Sequence, residues 1–314
     1  MKAATIRDGR IEVHEHPDPV PGLGQVLVKV RAAGLNGADL IQVRGHYPPP
    51  PGYPVDIPGL ELAGEVVELG PGATRFRIGD AVMAVVGGGA QAELAVVHER
   101  EAMPVPAGLG WAEAGGFPEV FTTAHDALFS QAGLVMGERL LVQGAAGGVG
   151  TAGVQLGKAA GASVIASVRG PARRDAVAAM GAVAVAPDEV ASHGPYDVVL
   201  ELVGGPNIGV DLGALAVGGR IAVIGVGAGS TADVDLRILM GKRARIHGST
   251  LRARPLEAKA MAARLIEANV LPLLSGGAVS VPVCDTFPLE DAASAYERFA
   301  AGGKLGKVVL VTGG

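Results

Sequence analysis

Apolar residues recur with two different rhythms along the 314-residue chain, and the change between them falls near residue 121. Upstream, β-rich runs alternate with glycine and proline: GQVLVKVRAAGL, GLELAGEVVEL and GDAVMAVV. Short strands at that spacing predict a small barrel-like β domain, and MKAATIRDGRIEV ahead of them predicts an opening strand pair. Between the runs lies HYPPPPGYPVDIPG, whose prolines fix φ and remove backbone donors over most of its length. It reads as a surface loop, a polyproline ligand or an ordered lip over a cleft.

From about residue 121 strand and helix patterns alternate, which predicts an α/β unit built on a doubly wound parallel sheet. Strands are expected near 140–143, 163–168, 183–186, 197–202, 220–225 and 244–248, with helices between them. After GSTLRARP at 248–255 the alternation ends, leaving a helix over 256–268 and strands near 279–283 and 307–311. Those closing strands are expected to return to the first domain. The reading is therefore one β-rich domain from residues 1–120 and 254–314, with an α/β domain over 121–253 inserted in it.

The stretch LLVQGAAGGVGTAGVQLGK at 140–158 carries the most chemistry. Leu140 to Gln143 read as a buried strand, while Val149, Gly153, Leu156 and Ala160 recur at helical spacing and Gly161 supplies a stop. Gly144, Gly147 and Gly150 let the backbone approach a bound group, and the amides of Gly147, Gly148, Val149 and Gly150 point from the helix start towards an anion such as a pyrophosphate. The alternative is a structural strand-to-helix turn. Glycine spacing alone discriminates poorly in a chain with 49 glycines; the strand before it and the helix after it favour a dinucleotide.

The end of the next strand bears on which dinucleotide. A site for NAD places Asp or Glu there, to hold the ribose hydroxyls. Here SVIASV runs into Arg169, Gly170, Pro171, Ala172, Arg173 and Arg174, with no carboxylate until Asp175. Three guanidiniums suit a 2′-phosphate better than two hydroxyls, which predicts NADPH, with Arg169 and Arg173 among its contacts. A solvated basic helix start is the alternative.

Composition narrows the classes. Hydrophobic residues make up 49% of the chain, and no uninterrupted apolar run approaches membrane-spanning length. A formal charge of −5 and a pI near 5.8, without a basic run, disfavour nucleic acid and anionic membranes as partners. The N-terminus lacks the apolar core of a secretory signal, so a cytoplasmic protein is expected. Cys284 is the single cysteine, and Gly59, Leu60 and Glu61 include no histidine, so no zinc site is expected. His14 and His16 read as an exposed turn and His125 as a packed helical residue. No lysine follows Tyr47, Tyr53, Tyr196 or Tyr296 by four positions, which disfavours short-chain dehydrogenase chemistry.

Several segments together resemble the medium-chain dehydrogenase/reductase superfamily, and within it the zinc-free quinone oxidoreductases: AAGLNGADLIQVRGHYPPPP at 32–51, IPGLELAGEV at 57–66, PEVFTTAHDAL at 118–128, GAAGGVGTAGVQL at 144–156, GSTLRARPLEAK at 248–259 and GKVVL at 306–310. PEVF and STLRAR look most like the p53-inducible branch, and zeta-crystallin-like enzymes form the broader group. The resemblance implies a GroES-like β-rich catalytic domain plus a Rossmann domain, and NADPH-dependent reduction of a quinone, usually by a homodimer. It implies that Arg173 takes the place of a lysine common in the family; a tyrosine that many relatives carry after the third strand has no counterpart in AVAVAPDEV at 182–190.

Asn36 and Tyr47 flank the proline loop in the part that resembles the family's active-site wall. Asn36 is also placed to cap a helix with Asp39, and Tyr47 to anchor the loop. Thr123 in TTAHDAL and Gly225 in AVIGVG are carried over as nicotinamide neighbours, and Arg252 reads as either a cleft or a surface residue. Two other activities remain open: reduction of enones or enoyl thioesters, and non-catalytic NADPH sensing.

Overall fold

The computed structural model describes residues 1–313. In chain order, the first strands are β1 (Lys2–Arg7), β2 (Arg10–Glu15), β3 (Gln25–Gly34), β4 (Glu61–Leu69), β5 (Ala81–Val85), β6 (Leu94–His98) and β7 (Ala102–Pro104). There follow β8 (Arg139–Val142), β9 (Ser163–Ser167), β10 (Val183–Val185), β11 (Tyr196–Glu201), β12 (Leu215–Val223) and β13 (Arg245–Gly248), and the chain closes with β14 (Val283–Pro288) and β15 (Lys307–Val311). Contacts divide it into two compact units: residues 1–122 together with 251 onward, and residues 123–250.

The first unit is β-rich. Asp8 and Gly9 both have positive φ, the geometry of a two-residue turn whose twist suits a hairpin, and β1 and β2 pair antiparallel around it. A seven-stranded sheet runs β14-β15-β3-β4-β5-β7, with β6 also on β3. Val26, Val28 and Val30 take alternate positions on β3 and pack with Leu62, Val66, Val82 and Ala84, so a period of two fills one face of the sheet. β15 pairs antiparallel with β3, setting Val309 opposite Gly34, and so ties the end of the chain to its beginning.

The second unit is a six-stranded sheet in the order β10-β9-β8-β11-β12-β13, every adjacent pair parallel. The order reverses between β8 and β11, the topological switch of a doubly wound Rossmann sheet, where ligands bind beyond the carboxyl ends of the strands. Leu141, Ile165, Val199 and Ile221, one from each of the four central strands, share one core layer. The helix after β8 (Gly148–Ala159) approaches the sheet through Gly153 and Gly157, where a Cβ would lie 2.7 Å from Leu200 and 2.6 Å from Leu140. Among the described residues no helix is long and apolar enough to cross a membrane.

Three local expectations are corrected. The strand placed near 279–283 lies at Val283–Pro288, because Pro282 cannot donate to a ladder; Val279 and Val281 are buried ahead of it without pairing. The strand expected near 220–225 begins earlier, at Leu215, and runs through Gly218 and Gly219 to Val223. His14 lies on β2 with its ring 2.8 Å from Glu12, and His16 bonds Thr5 at 2.8 Å, so neither belongs to an exposed turn.

Candidate functional site

In the first unit, four of the segments that carry the family resemblance meet at one buried carboxylate. Glu61, at the start of β4, accepts from Lys307 Nζ at 2.5 Å and from Asn36 Nδ2 at 2.9 Å through Oε1, and from the backbone N–H of Glu119 at 2.8 Å through Oε2. Lys307 also donates to Asn36 Oδ1 at 2.8 Å and to the Leu35 carbonyl at 2.7 Å. The two charged side chains are 0% and 3% exposed, and such burial is tolerable only because each charge is paired and hydrogen-bonded. Gly34 makes room: a Cβ there would collide with the Glu61 carboxylate.

Asn36 therefore stands inside an ion network, and it also starts the helix α1 (Gly37–Val43), where Asp39 Oδ2 accepts its backbone N–H at 2.8 Å. Burial pushes the Asp39 carboxyl up to about 6 against the lowering effects of the Asn36 N–H and of Lys307. Gly59 N–H and Gln91 Nε2, each at 3.3 Å, are its other donors.

Tyr47 is half-buried in the proline loop, and Arg252 holds it there. The guanidinium donates to the Tyr47 carbonyl at 2.7 Å, to the Gly87 carbonyl at 2.8 Å and to Gln42 Oε1 at 2.5 Å, and its carbon sits 4.8 Å from the centre of the Tyr47 ring. At 4% exposed, Arg252 is neither a surface residue nor free in solvent. A second cation from the same region, Lys259, donates to the Tyr53 hydroxyl at 3.1 Å while paired to Glu101 at 2.6 Å. Two tyrosines and two cations fasten the loop. Burial raises the Tyr47 pKa, and the facing Arg252 opposes that rise.

In the second unit the glycine turn separates into distinct jobs. Gly144 needs its positive φ of +66°, and Gly150 is a packing position, where a Cβ would lie 2.6 Å from Ala145 Cα. At Gly147, with an ordinary φ of −76°, a Cβ would meet only the Gly144 carbonyl, at 3.5 Å. Space does not demand glycine at 147, where the residue serves as the N-cap of the helix. Gly147, Gly148 and Val149 are all partly exposed at the helix start. Gly144 and Gly225 close on the same stretch from two sides, a Cβ on the first meeting Val203 and on the second colliding with the Leu202 carbonyl. The ends of β8, β11 and β12 are thus drawn together at the switch point. Thr123 is buried in the helix Pro118–His125.

Beyond β9 the three arginines differ. Arg169 is exposed, and Arg174 donates to the Val168 carbonyl at 3.2 Å. Arg173 folds back over Gly170, and its Nε is buried without a hydrogen-bond partner. An orphaned buried guanidinium donor costs free energy unless an acceptor reaches it, and a phosphate oxygen has the right charge and geometry. The residues present fit a nicotinamide dinucleotide.

Sequence reasoning missed a pair of carboxyls at this end of the sheet. Glu201, fully buried, accepts the backbone N–H groups of Val203 at 2.5 Å and Gly204 at 2.7 Å, so it shapes the turn after β11. Asp211, also fully buried, accepts from Gln143 Nε2 at 2.7 Å, and burial together with the Glu201 carboxylate raises its pKa. The signal was available in Glu61, Lys307 and Glu201 alike: a charge inside an apolar strand pattern must find a partner.

His125 is buried against Phe129, with ring centres 5.0 Å apart, and burial lowers its pKa. Among the described residues no group of three His, Cys, Asp or Glu side chains could hold a metal ion, so the donor set does not fit zinc.

Residues 22–130 match the family model described as an alcohol dehydrogenase GroES-like domain, and residues 148–268 match the one described as zinc-binding dehydrogenase. The chain is 32% identical over 308 residues to a quinone oxidoreductase of Mus musculus, covering 93% of this chain and 91% of the relative. It is 30% identical over 351 residues to an acryloyl-coenzyme A reductase of Metallosphaera sedula, covering 99% and 100%. A mycobacterial protein solved in complex with NADPH superposes with a TM-score of 0.88 at 25% identity, over 99% of both chains.

Proposed function

The chain belongs to the medium-chain dehydrogenase/reductase superfamily of oxidoreductases, and on that premise we propose that it is an NADPH-dependent quinone oxidoreductase working without zinc. The observation that carries the cofactor choice is the cluster of Arg169, Arg173 and Arg174 beyond β9, with no carboxylate before Asp175 to hold a ribose. When bound, NADPH supplies the hydride. The amides of Gly147, Gly148 and Val149 would hold its pyrophosphate at the helix start, Arg173 with Arg169 would hold the 2′-phosphate, and Thr123 and Gly225 would border the nicotinamide.

The acceptor side makes modest demands. Two-electron reduction of a quinone leaves a stabilised phenolate-type anion, which takes its proton from a hydroxyl or from water, so no strong protein acid is needed. Tyr47 is the proposed donor. Asn36 acts by position: its amide is committed to Glu61 and Lys307, and it fixes the start of α1, from which the loop bearing Tyr47 continues. The reading includes a cytoplasmic homodimer, which sedimentation of the purified protein tests.

A second reading keeps the hydride donor and changes the acceptor to an enoyl thioester or enone; the end-to-end likeness to an acryloyl-coenzyme A reductase supports it. Turnover of NADPH with 1,4-benzoquinone, a cyclic enone and acryloyl-coenzyme A, side by side, separates the two. Saturable NADPH binding with no oxidation by any acceptor would instead favour a non-catalytic sensor.

A further inference from the structure

Arg252 has more hydrogen bonds than a loop staple needs, and its charge lies over a specific ring. Three acceptors from three places, the Tyr47 carbonyl, the Gly87 carbonyl and Gln42 Oε1, fix the plane of the guanidinium, and that plane sets its carbon 4.8 Å from the centre of the Tyr47 ring. A cation held there stabilises a phenolate more than a phenol. We propose that Arg252 is a positioning residue for the reaction, acting through Tyr47: it fixes the ring by holding the residue's own carbonyl and eases release of the phenolic proton. The proposal rests on the reading of Tyr47 as proton donor.

The surroundings give the two effects opposite signs. Half-burial raises the Tyr47 pKa, and the Glu119 carboxylate adds to the rise. Arg252 is the cation opposing both, and its own charge is supported by Asp39 and Glu119, which face it from α1 and from the helix Pro118–His125. In the step itself, hydride brings two electrons to the acceptor, the Tyr47 O–H bond breaks, and its proton bonds the reduced acceptor's oxygen. The phenolate then recovers a proton from water. Lysine would keep the charge but could not hold three acceptors in one plane.

The test reads Tyr47 directly. With 3,5-difluorotyrosine incorporated at position 47, the fluorines make the phenol more acidic and bring its titration within reach, and their resonance follows ionisation in the protein without cofactor. Arg252→Gln, which is neutral but keeps an amide donor for the carbonyls, is expected to move the midpoint up by about one pH unit or more. Arg252→Lys is expected to give an intermediate midpoint. Turnover of NADPH with 1,4-benzoquinone in the unlabelled Arg252→Gln chain is expected to fall about tenfold, the factor that one unit represents, with NADPH affinity unchanged.

A midpoint at the parent value in whichever variant folds overturns the proposal, even if thermal stability drops, because a purely structural staple would lower stability without moving the titration. Tyr47→Phe keeps the two readings apart. Full turnover in that variant defeats Tyr47 as donor, and with it any role for Arg252 in proton transfer. A slowed Tyr47→Phe chain beside an unmoved resonance defeats the role of Arg252 alone.

Discussion

Lys307 places its ammonium 2.5 Å from the carboxylate of Glu61 in a part of the protein that water does not reach. The pair joins the last strand to the fourth, and through the second oxygen of Glu61 it caps the helix that begins at Pro118. Removing one partner leaves a buried charge uncompensated, so Lys307→Met is expected to cost about 3–5 kcal/mol. The double variant Glu61→Leu with Lys307→Met is expected to recover much of that loss, since a buried pair of this kind barely exceeds its own desolvation cost. Urea unfolding of the two variants checks this; a single variant within about 0.5 kcal/mol of the parent, the range of an ordinary surface change, would contradict it.

The glycines of the turn after β8 are expected to part ways when replaced. Gly150→Ala pushes a methyl to within 2.6 Å of Ala145 Cα and should destabilise the fold by about 1–3 kcal/mol, the usual cost of overpacking. Gly147→Ala meets nothing closer than 3.5 Å and should melt with the parent, yet bind NADPH more weakly. Thermal melts paired with cofactor fluorescence titrations distinguish the two effects, and parent-like NADPH binding by Gly147→Ala would remove the ligand from that position.

Arg173→Glu is expected to raise the NADPH dissociation constant about tenfold or more, because a charge-assisted contact contributes roughly 1.5–3 kcal/mol. NADH binding should change far less, since it carries no 2′-phosphate. Equal weakening of both cofactors, measured by titration calorimetry, would show that Arg173 serves the fold instead.

Asp211 sets a pH dependence. Burial and the Glu201 carboxylate raise its pKa in the folded protein, so the folded state keeps a proton that the unfolded chain releases above the usual carboxylate range near 4. The resulting stabilisation is full below that range and is lost as pH rises towards the folded pKa. In Asp211→Asn the side chain is neutral at every pH. The fall in Tm between pH 6 and pH 9 should therefore be smaller in Asp211→Asn than in the parent, and an equal fall would contradict the raised pKa.

Much of the fold was legible because its periods are clean. The parallel strands from Arg139 to Gly248 fall close to their expected positions, since buried apolar runs between glycine stops leave few alternatives. Val283–Pro288 was displaced for a local reason: the apolar alternation at 279–281 satisfies burial without a ladder, and periodicity does not tell the two apart. The candidate site was legible in its residue types and less so in its partners. Asn36, Tyr47 and the glycine turn stand out in the sequence, but the commitment of Asn36 to Lys307 spans 271 positions, and that of Arg252 to Gln42 spans 210. The first follows from the pairing of β15 with β3 and the second from a helix meeting a distant turn, and no local pattern encodes either. The different fates of Arg169, Arg173 and Arg174 depend on how one short turn folds back on Gly170, a matter of geometry at identical chemistry.

Quinone reduction at the expense of NADPH is the central claim, and one assay addresses it most directly: initial rates of cofactor oxidation by the purified protein, with 1,4-benzoquinone as acceptor and NADPH or NADH as donor, beside the same donors with acryloyl-coenzyme A. The expected result is that kcat/KM is highest for NADPH with the quinone and falls at least tenfold when NADH replaces NADPH. Faster turnover of the thioester than of the quinone, or equal use of NADH, would contradict it.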